Sequence, residues 1–143
     1  MKYVFDSSVL VAALVADHPH HSRAAPWLRK MISDRIEVIL SSHSLAEVYA
    51  VLTVLPVSPR IAPGLAWRLI RENTPKAKLV HLTVDDYRRT LARMAELALS
   101  GGVVYDALIA RVAGKVGADG LVTFNAKDFR RVWPEGADRI IAP

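Results

Sequence analysis

The first ten residues constrain this chain more than any other stretch. Tyr3-Val4-Phe5 is a run of large, strand-forming residues that ends on a carboxylate, Asp6. Ser7-Ser8 follows, and then an apolar run at helical spacing from Val9. The order predicts a strand, an acidic turn and a helix. In an open α/β sheet the chemistry sits just beyond the carboxyl ends of the strands. Asp6 stands at such an end, and Ser7 is placed to cap the helix that follows. On this stretch alone a plainer explanation is equally good, in which Asp6 caps the helix and Ser7 is filler. The remaining carboxylates decide between the two.

Taken in order, the pattern gives strand one at 2–5 and helix one at 7–16. A loop, Asp17-His18-Pro19-His20-His21, leads into a second helix to about Ser33, with Ala24, Trp27, Leu28 and Met31 on one face. Residues 35–40 alternate and then turn wholly apolar, as suits a strand covered on both faces. A third helix starts at Ser41-Ser42 and runs to about Leu55. Pro56, Pro59 and Pro63 mark a bend, and a fourth helix ends near Arg71. Strand three follows at 78–82. Thr83 and Asp86 resemble a capping box, with Asp in place of Glu, at the start of a fifth helix reaching Leu99. After Ser100-Gly101-Gly102 a sixth helix spans 104–116 and stops at Gly117. Strand four is 120–123, residues 125–132 form a turn or short helix, and 139–142 form a terminal strand. Strands alternating with helices predict an α/β fold, a mainly parallel sheet with helices on both faces. There is no repeat and no linker, so residues 1–143 read as one domain.

Composition narrows the chemistry. The chain has no cysteine, which excludes disulfides and thiolate metal sites and fits a reducing cytoplasm. The apolar run at 9–16 follows an acid, lacks a basic leader and falls short of the roughly 20 residues that cross a bilayer, so no membrane segment is expected. Lys and Arg number 19 against 14 Asp and Glu, a formal net charge of +5. That balance favours a polyanionic partner, a nucleic acid or an acidic protein.

Further acids occur where acids are costly. Glu47 lies in Ser44-Leu45-Ala46-Glu47-Val48-Tyr49, on a helix that is nearly apolar all round and so is expected to be well buried. Asp106 is a lone acid in the first turn of Val103-Val104-Tyr105-Asp106-Ala107-Leu108. An exposed acid there would merely suit the helix dipole, but one between Tyr105 and Leu108 fits that account less well. Thr123 and Asn125 leave strand four at the same sheet edge as Asp6, and Asp128 is one turn further. Asn125 as a cap and Asp128 as a surface acid are strong alternatives. Three or four oxygen ligands without Cys suit a hard cation, Mg²⁺ or Mn²⁺. Crowded carboxylates would otherwise repel one another.

At these residues the chain resembles the PIN-domain nucleases, and among them the VapC-like toxins of toxin–antitoxin pairs. The matching pieces are Asp6-Ser7-Ser8-Val9-Leu10, Glu47 within Leu45–Tyr49, Asp106-Ala107-Leu108-Ile109-Ala110 and Thr123–Phe129; the bend at Leu55–Arg60 is similar too. The resemblance implies a three-layer α/β/α sandwich and a Mg²⁺- or Mn²⁺-dependent endoribonuclease. It also implies a homodimer inhibited by a small antitoxin. Carried over, Asp6 and Asp106 are the main metal ligands, Glu47 is a ligand or an acid just outside, and Ser7 and Thr123 are supports. Where many relatives have a fourth acid after strand four, this chain has Asn125, which puts a second ion in doubt; Asn125 and Asp128 are assigned to the outer shell or a second site.

Other residues carry less. His18, His20 and His21 share one loop without a further ligand, so zinc is not expected. Gly114, Gly117 and Gly120 follow a helix and precede a strand, the wrong order for a dinucleotide loop. Trp27, Trp67 and Trp133 read as core or interface. Lys127, Arg130 and Arg131 flank the acids and are candidates for RNA backbone contacts, with a solvated face as the equal alternative. Arg88, Arg89 and Arg93 read as a solvated face. Tyr49, Leu52, Leu65 and Trp67 are more apolar surface than one helix pair needs, which predicts the dimer. Two competing functions stand beside the nuclease: a non-catalytic PIN-like binding module, kept open by Asn125, and a phosphatase of the HAD type, disfavoured because Ser8 replaces its second acid.

Overall fold

The computed structural model describes all residues, Met1–Pro143. Its centre is a five-stranded, wholly parallel sheet in the order β3-β2-β1-β4-β5, formed by β1 (Lys2–Phe5), β2 (Glu37–Ser41), β3 (Lys78–Val80), β4 (Gly120–Val122) and β5 (Ile140–Ile141). Side chains alternate across a strand, and here both faces are covered. Phe5, Val38, Leu40 and Val122 point into one core; Val4, Ile39, Leu121 and Ile140 point into the other. The wholly apolar centres of these strands therefore feed two cores, and the result is the expected α/β/α sandwich.

The first core is roofed by α1 (Ser7–Leu14), α2 (His21–Ile32), α3 (Ser42–Val54) and α4 (Pro63–Asn73), with α1 packed on both α2 and α3, and α3 on α4. The second is roofed by α5 (Val84–Glu96), α6 (Val103–Lys115) and α7 (Ala126–Val132), with α6 packed between the other two. Trp27 makes edge contacts with Tyr3 and Phe5 under the first core, and Trp133 packs against the second. No helix is long and apolar enough to cross a membrane.

Differences from the sequence reading are local. The first helix stops at Leu14 rather than at Ala16. Strand two runs on to Ser41, whose hydroxyl then accepts from the His43 N–H and caps α3. The last strand shrinks to Ile140–Ile141, because Pro134 starts a 3-10 turn that takes in Arg139. The third helix is not buried all round: Ser44, Val48 and Leu52 form its inner face, while Tyr49, Val51 and Val54 are exposed. Leu52, expected on the outer face with Tyr49, is 0% exposed and belongs to the core. The suspected capping box is complete: Asp86 N–H donates to Thr83 Oγ1 at 3.1 Å and Thr83 N–H donates to Asp86 Oδ2 at 3.0 Å.

Candidate active site

Asp6 follows β1 directly. Its N–H still donates across the sheet to the Val122 carbonyl at 3.0 Å, which keeps its backbone extended and makes Ser7 the first helical residue. Asp6, not Ser7, therefore occupies the N-cap position, and its side chain makes no cap bond. The carboxylate instead accepts from three hydroxyls: Ser7 Oγ at 3.3 Å on Oδ1, and Ser8 Oγ at 2.6 Å and Thr123 Oγ1 at 2.9 Å on Oδ2. It is 4% exposed. Ser8 Oγ in turn accepts from Phe124 N–H at 3.2 Å, and Thr123 Oγ1 accepts from Asn125 N–H at 2.9 Å. Two hydroxyls thus fasten the segment after β4 to the acid after β1.

Glu47 reaches the same edge from the second turn of α3. Burial first, and then the charge of Asp6, push its carboxyl up to about 7. Its Oε1 is buried without a hydrogen-bond partner. His43 Nε2, one turn earlier, lies 3.4 Å away and is also unpartnered, the two atoms being too poorly aligned to bond. Asp106, half-buried in the first turn of α6, is likewise pushed up to about 7, mainly by burial, then by the charges of Asp6, Asp128 and Glu47. Asn125 opposes that shift: its Nδ2 donates to Asp106 Oδ2 at 3.0 Å. Asn125 makes no side-chain cap to α7, so its amide serves Asp106 rather than the turn. Asp128 is half-buried and accepts from Arg131 Nη1 at 3.1 Å.

No three of the His, Asp and Glu side chains converge into a ready-made metal cage. The donor set nonetheless fits a hard divalent cation. It is all oxygen, it includes a buried carboxylate oxygen with no partner, and the charge of Asp6 adds to burial in raising the proton affinity of both Glu47 and Asp106, which a counter-charge would relieve. The loop histidines are occupied otherwise: His18 Nδ1 accepts from His20 N–H, and His21 Nδ1 lies 2.9 Å from the Ala12 carbonyl.

Residues 3–133 match the family described as the PIN domain. The chain belongs to the PIN-domain family. It is 34% identical over 122 residues to ribonuclease VapC27 of Mycobacterium tuberculosis, covering 85% of this chain and 83% of that one. At that identity and coverage it belongs with the VapC ribonucleases, which sets the HAD-type phosphatase aside. Two solved structures share the fold. One is Mycobacterium tuberculosis VapC20, described as a sarcin–ricin loop cleaving toxin, with TM-score 0.69 and 19% identity over 88% of this chain and 92% of that one. The other is VapBC2 from Rickettsia felis bound to a DNA fragment from its promoter, with TM-score 0.68 and 20% identity over 100% and 98%.

Within this PIN fold the acids expected from sequence, Asp6, Glu47 and Asp106, come from three separate segments to one sheet edge, with Thr123 and Asn125 between them. The folded chain adds two residues to the site. Ser8 donates the shortest of the bonds to Asp6, and His43 stands beside Glu47. Among the basic candidates, Lys127 and Arg130 are exposed and make no ion pair, whereas Arg131 is engaged by Asp128. Of the three arginines read as a solvated face, Arg89 pairs with Asp85 and Arg93 with Glu96 and Glu135, while Arg88 is simply exposed.

Proposed function

We propose that this PIN-domain chain is a divalent-metal-dependent endoribonuclease and the toxin of a toxin–antitoxin pair. The observation that carries the reading is one electrostatic cluster: Asp6 held by three hydroxyls, with Glu47 and Asp106 both raised to about 7 beside it. Asp6 and Asp106 are the main ligands for Mg²⁺ or Mn²⁺. Glu47 is a ligand or lies just outside, and Asn125 and Asp128 stand in the outer shell. When bound, such an ion polarises the scissile phosphate and lowers the pKa of a water.

The chain's own groups do the rest. Ser7, Ser8 and Thr123 fix the direction in which Asp6 presents its oxygens. Asn125 does the same for Asp106. In the metal-free chain Glu47 and Asp106, each near 7, take up protons in neutral buffer, and a bound cation would displace them. Lys127 and Arg130 are free to meet the RNA backbone, and the net charge of +5 draws the polyanion in. Arg131 would first have to leave Asp128.

The antitoxin and a homodimer belong to the same proposal. They are supported by membership among the VapC ribonucleases and by the exposed apolar side chains of α3 and α4, Tyr49, Val54, Leu65 and Trp67. The test is incubation of the purified chain with single-stranded RNA and Mg²⁺ or Mn²⁺. Internal cleavage that EDTA stops and Asp6→Asn abolishes is expected. Cleavage that survives EDTA would overturn the metal dependence, and no cleavage under any metal would leave only the non-catalytic binding module.

A further inference from the structure

We propose that Tyr105, backed by His43, is a stacking platform for an unpaired nucleobase beside the acidic cluster. The proposal rests on the ribonuclease reading and names the form of RNA the site takes: single strands or loops, with a base next to the scissile phosphate laid on the tyrosine ring.

Tyr105 directly precedes Asp106 in the first turn of α6, and its side chain is 50% exposed. Single exposed aromatics are ordinary on protein surfaces. This one is held. The His43 ring lies parallel to it, 5.3 Å between centroids at an interplanar angle of 8°. His43 is in the first turn of α3, and Glu47 follows one turn later on the same helix. The stacked pair therefore joins the two helices that carry Glu47 and Asp106, and any base on it lies next to the acids. A tyrosine ring with two side-chain torsions, one already fixed against a neighbour, loses little freedom when a base settles on it.

The other aromatic at this sheet edge is closed. Phe124, between Thr123 and Asn125, is stacked by His20 at 4.6 Å and 13°, and the Arg23 guanidinium lies 5.2 Å from its centroid. Tyr49 and Trp67 are open on the exposed faces of α3 and α4, but no neighbouring ring backs either of them. Tyr105 is thus the open ring adjoining the acids. Stacking on an aromatic ring tolerates any base, because every base has a π-face, but it requires that the base be out of a duplex stack. The platform consequently selects RNA by strandedness and leaves the choice of sequence to other contacts.

The test uses a short single-stranded oligoribonucleotide carrying a fluorescent purine analogue at each position in turn, bound to Asp6→Asn protein so that nothing is cut. Quenching of the analogue at one or two adjacent positions is expected. Adding Tyr105→Ala should remove that quenching and weaken binding roughly tenfold, Tyr105→Trp should preserve both, and His43→Ala should give an intermediate loss by freeing the ring. Binding of the same sequence as a duplex should not respond to Tyr105→Ala. Unchanged quenching and affinity in Tyr105→Ala, or an equal loss for single strand and duplex, would overturn the platform. Cleavage by the wild-type protein is scored separately. Tyr105-dependent quenching without cleavage sinks the ribonuclease reading and leaves the platform standing; cleavage with Tyr105-independent quenching does the reverse.

Discussion

Asp6→Asn preserves the volume of a 4%-exposed side chain and one of its two acceptor oxygens, so the fold and the melting temperature should stay close to wild type. What it removes is the charge, and with it cleavage; full activity in a folded Asp6→Asn protein would show that the site lies elsewhere. Asp106 and Glu47 make a different prediction. Their carboxyls rise from 3.8 and 4.5 to about 7 on folding, so between those values the folded state binds more protons than the unfolded state. Their contribution to stability is therefore complete below about pH 4 and lost as pH rises through 7. In metal-free buffer the melting temperature should fall across that window. Asp106→Asn should flatten the fall and melt above wild type at neutral pH, whereas a lower melting temperature there would make Asp106 a structural residue. Asn125→Asp replaces the amide that donates to Asp106 with a like charge, which should tighten a second cation. Mn²⁺ calorimetry on the variant and wild type decides this, and two equally tight ions in the wild type would contradict an outer-shell Asn125. The acids were legible in the sequence because each stands alone among apolar neighbours. Ser8 was not, because a serine at a helix start usually caps and its spacing from Asp6 does not show that it turns back to the acid; His43 was not, because only the folded chain brings it to Tyr105.

At the scale of elements, α6 carries Asp106, and what fixes α6 lies on the far side of the sheet from α3. Asp86, the capping-box acid of α5, accepts from Arg111 Nε and Nη2 at 3.1 and 3.0 Å and from Lys115 Nζ at 2.6 Å, tying α5 to the middle and end of α6. The Lys115 bond first, then the Thr83 N–H, hold its carboxyl well below the usual range. That stabilisation is present above pH 3.8 and lost as pH falls beneath it. Asp86→Asn should lower the melting temperature by several degrees at neutral pH and erase part of the acid-side slope, as calorimetry against pH would show; an unchanged curve would mean that the clamp contributes nothing. The capping box was readable from Thr83 and Asp86 because its partners are three residues apart, while Arg111 and Lys115, more than twenty positions on, left no local signal. The same distinction governs the strands. Their apolar centres gave away a sheet buried on both faces, but their ends moved by one or two residues wherever a cap or a proline turn competed, at Ser41 and at Pro134.

At the scale of the molecule, the apolar surface is uneven. Tyr49 and Val54 on α3 and Leu65 and Trp67 on α4 are exposed, Trp67 by 54%, while their helix neighbours Leu52, Ala66 and Ile70 are buried in the core. The burial of Leu52 narrows the face predicted from sequence without removing it. A tryptophan left half in water is the residue type that most often anchors an interface centre, and α3 also carries Glu47, so a partner seated on this face would lie close to the site. The expectation is a homodimer built on α3 and α4. Trp67→Asp places a charge at the middle of that face without touching the core, and it should convert a dimer into a folded monomer with an unchanged circular dichroism spectrum. Sedimentation velocity of wild type and variant at micromolar concentration is the measurement. A wild-type monomer, or a dimer that persists in Trp67→Asp, would take the face away from self-association.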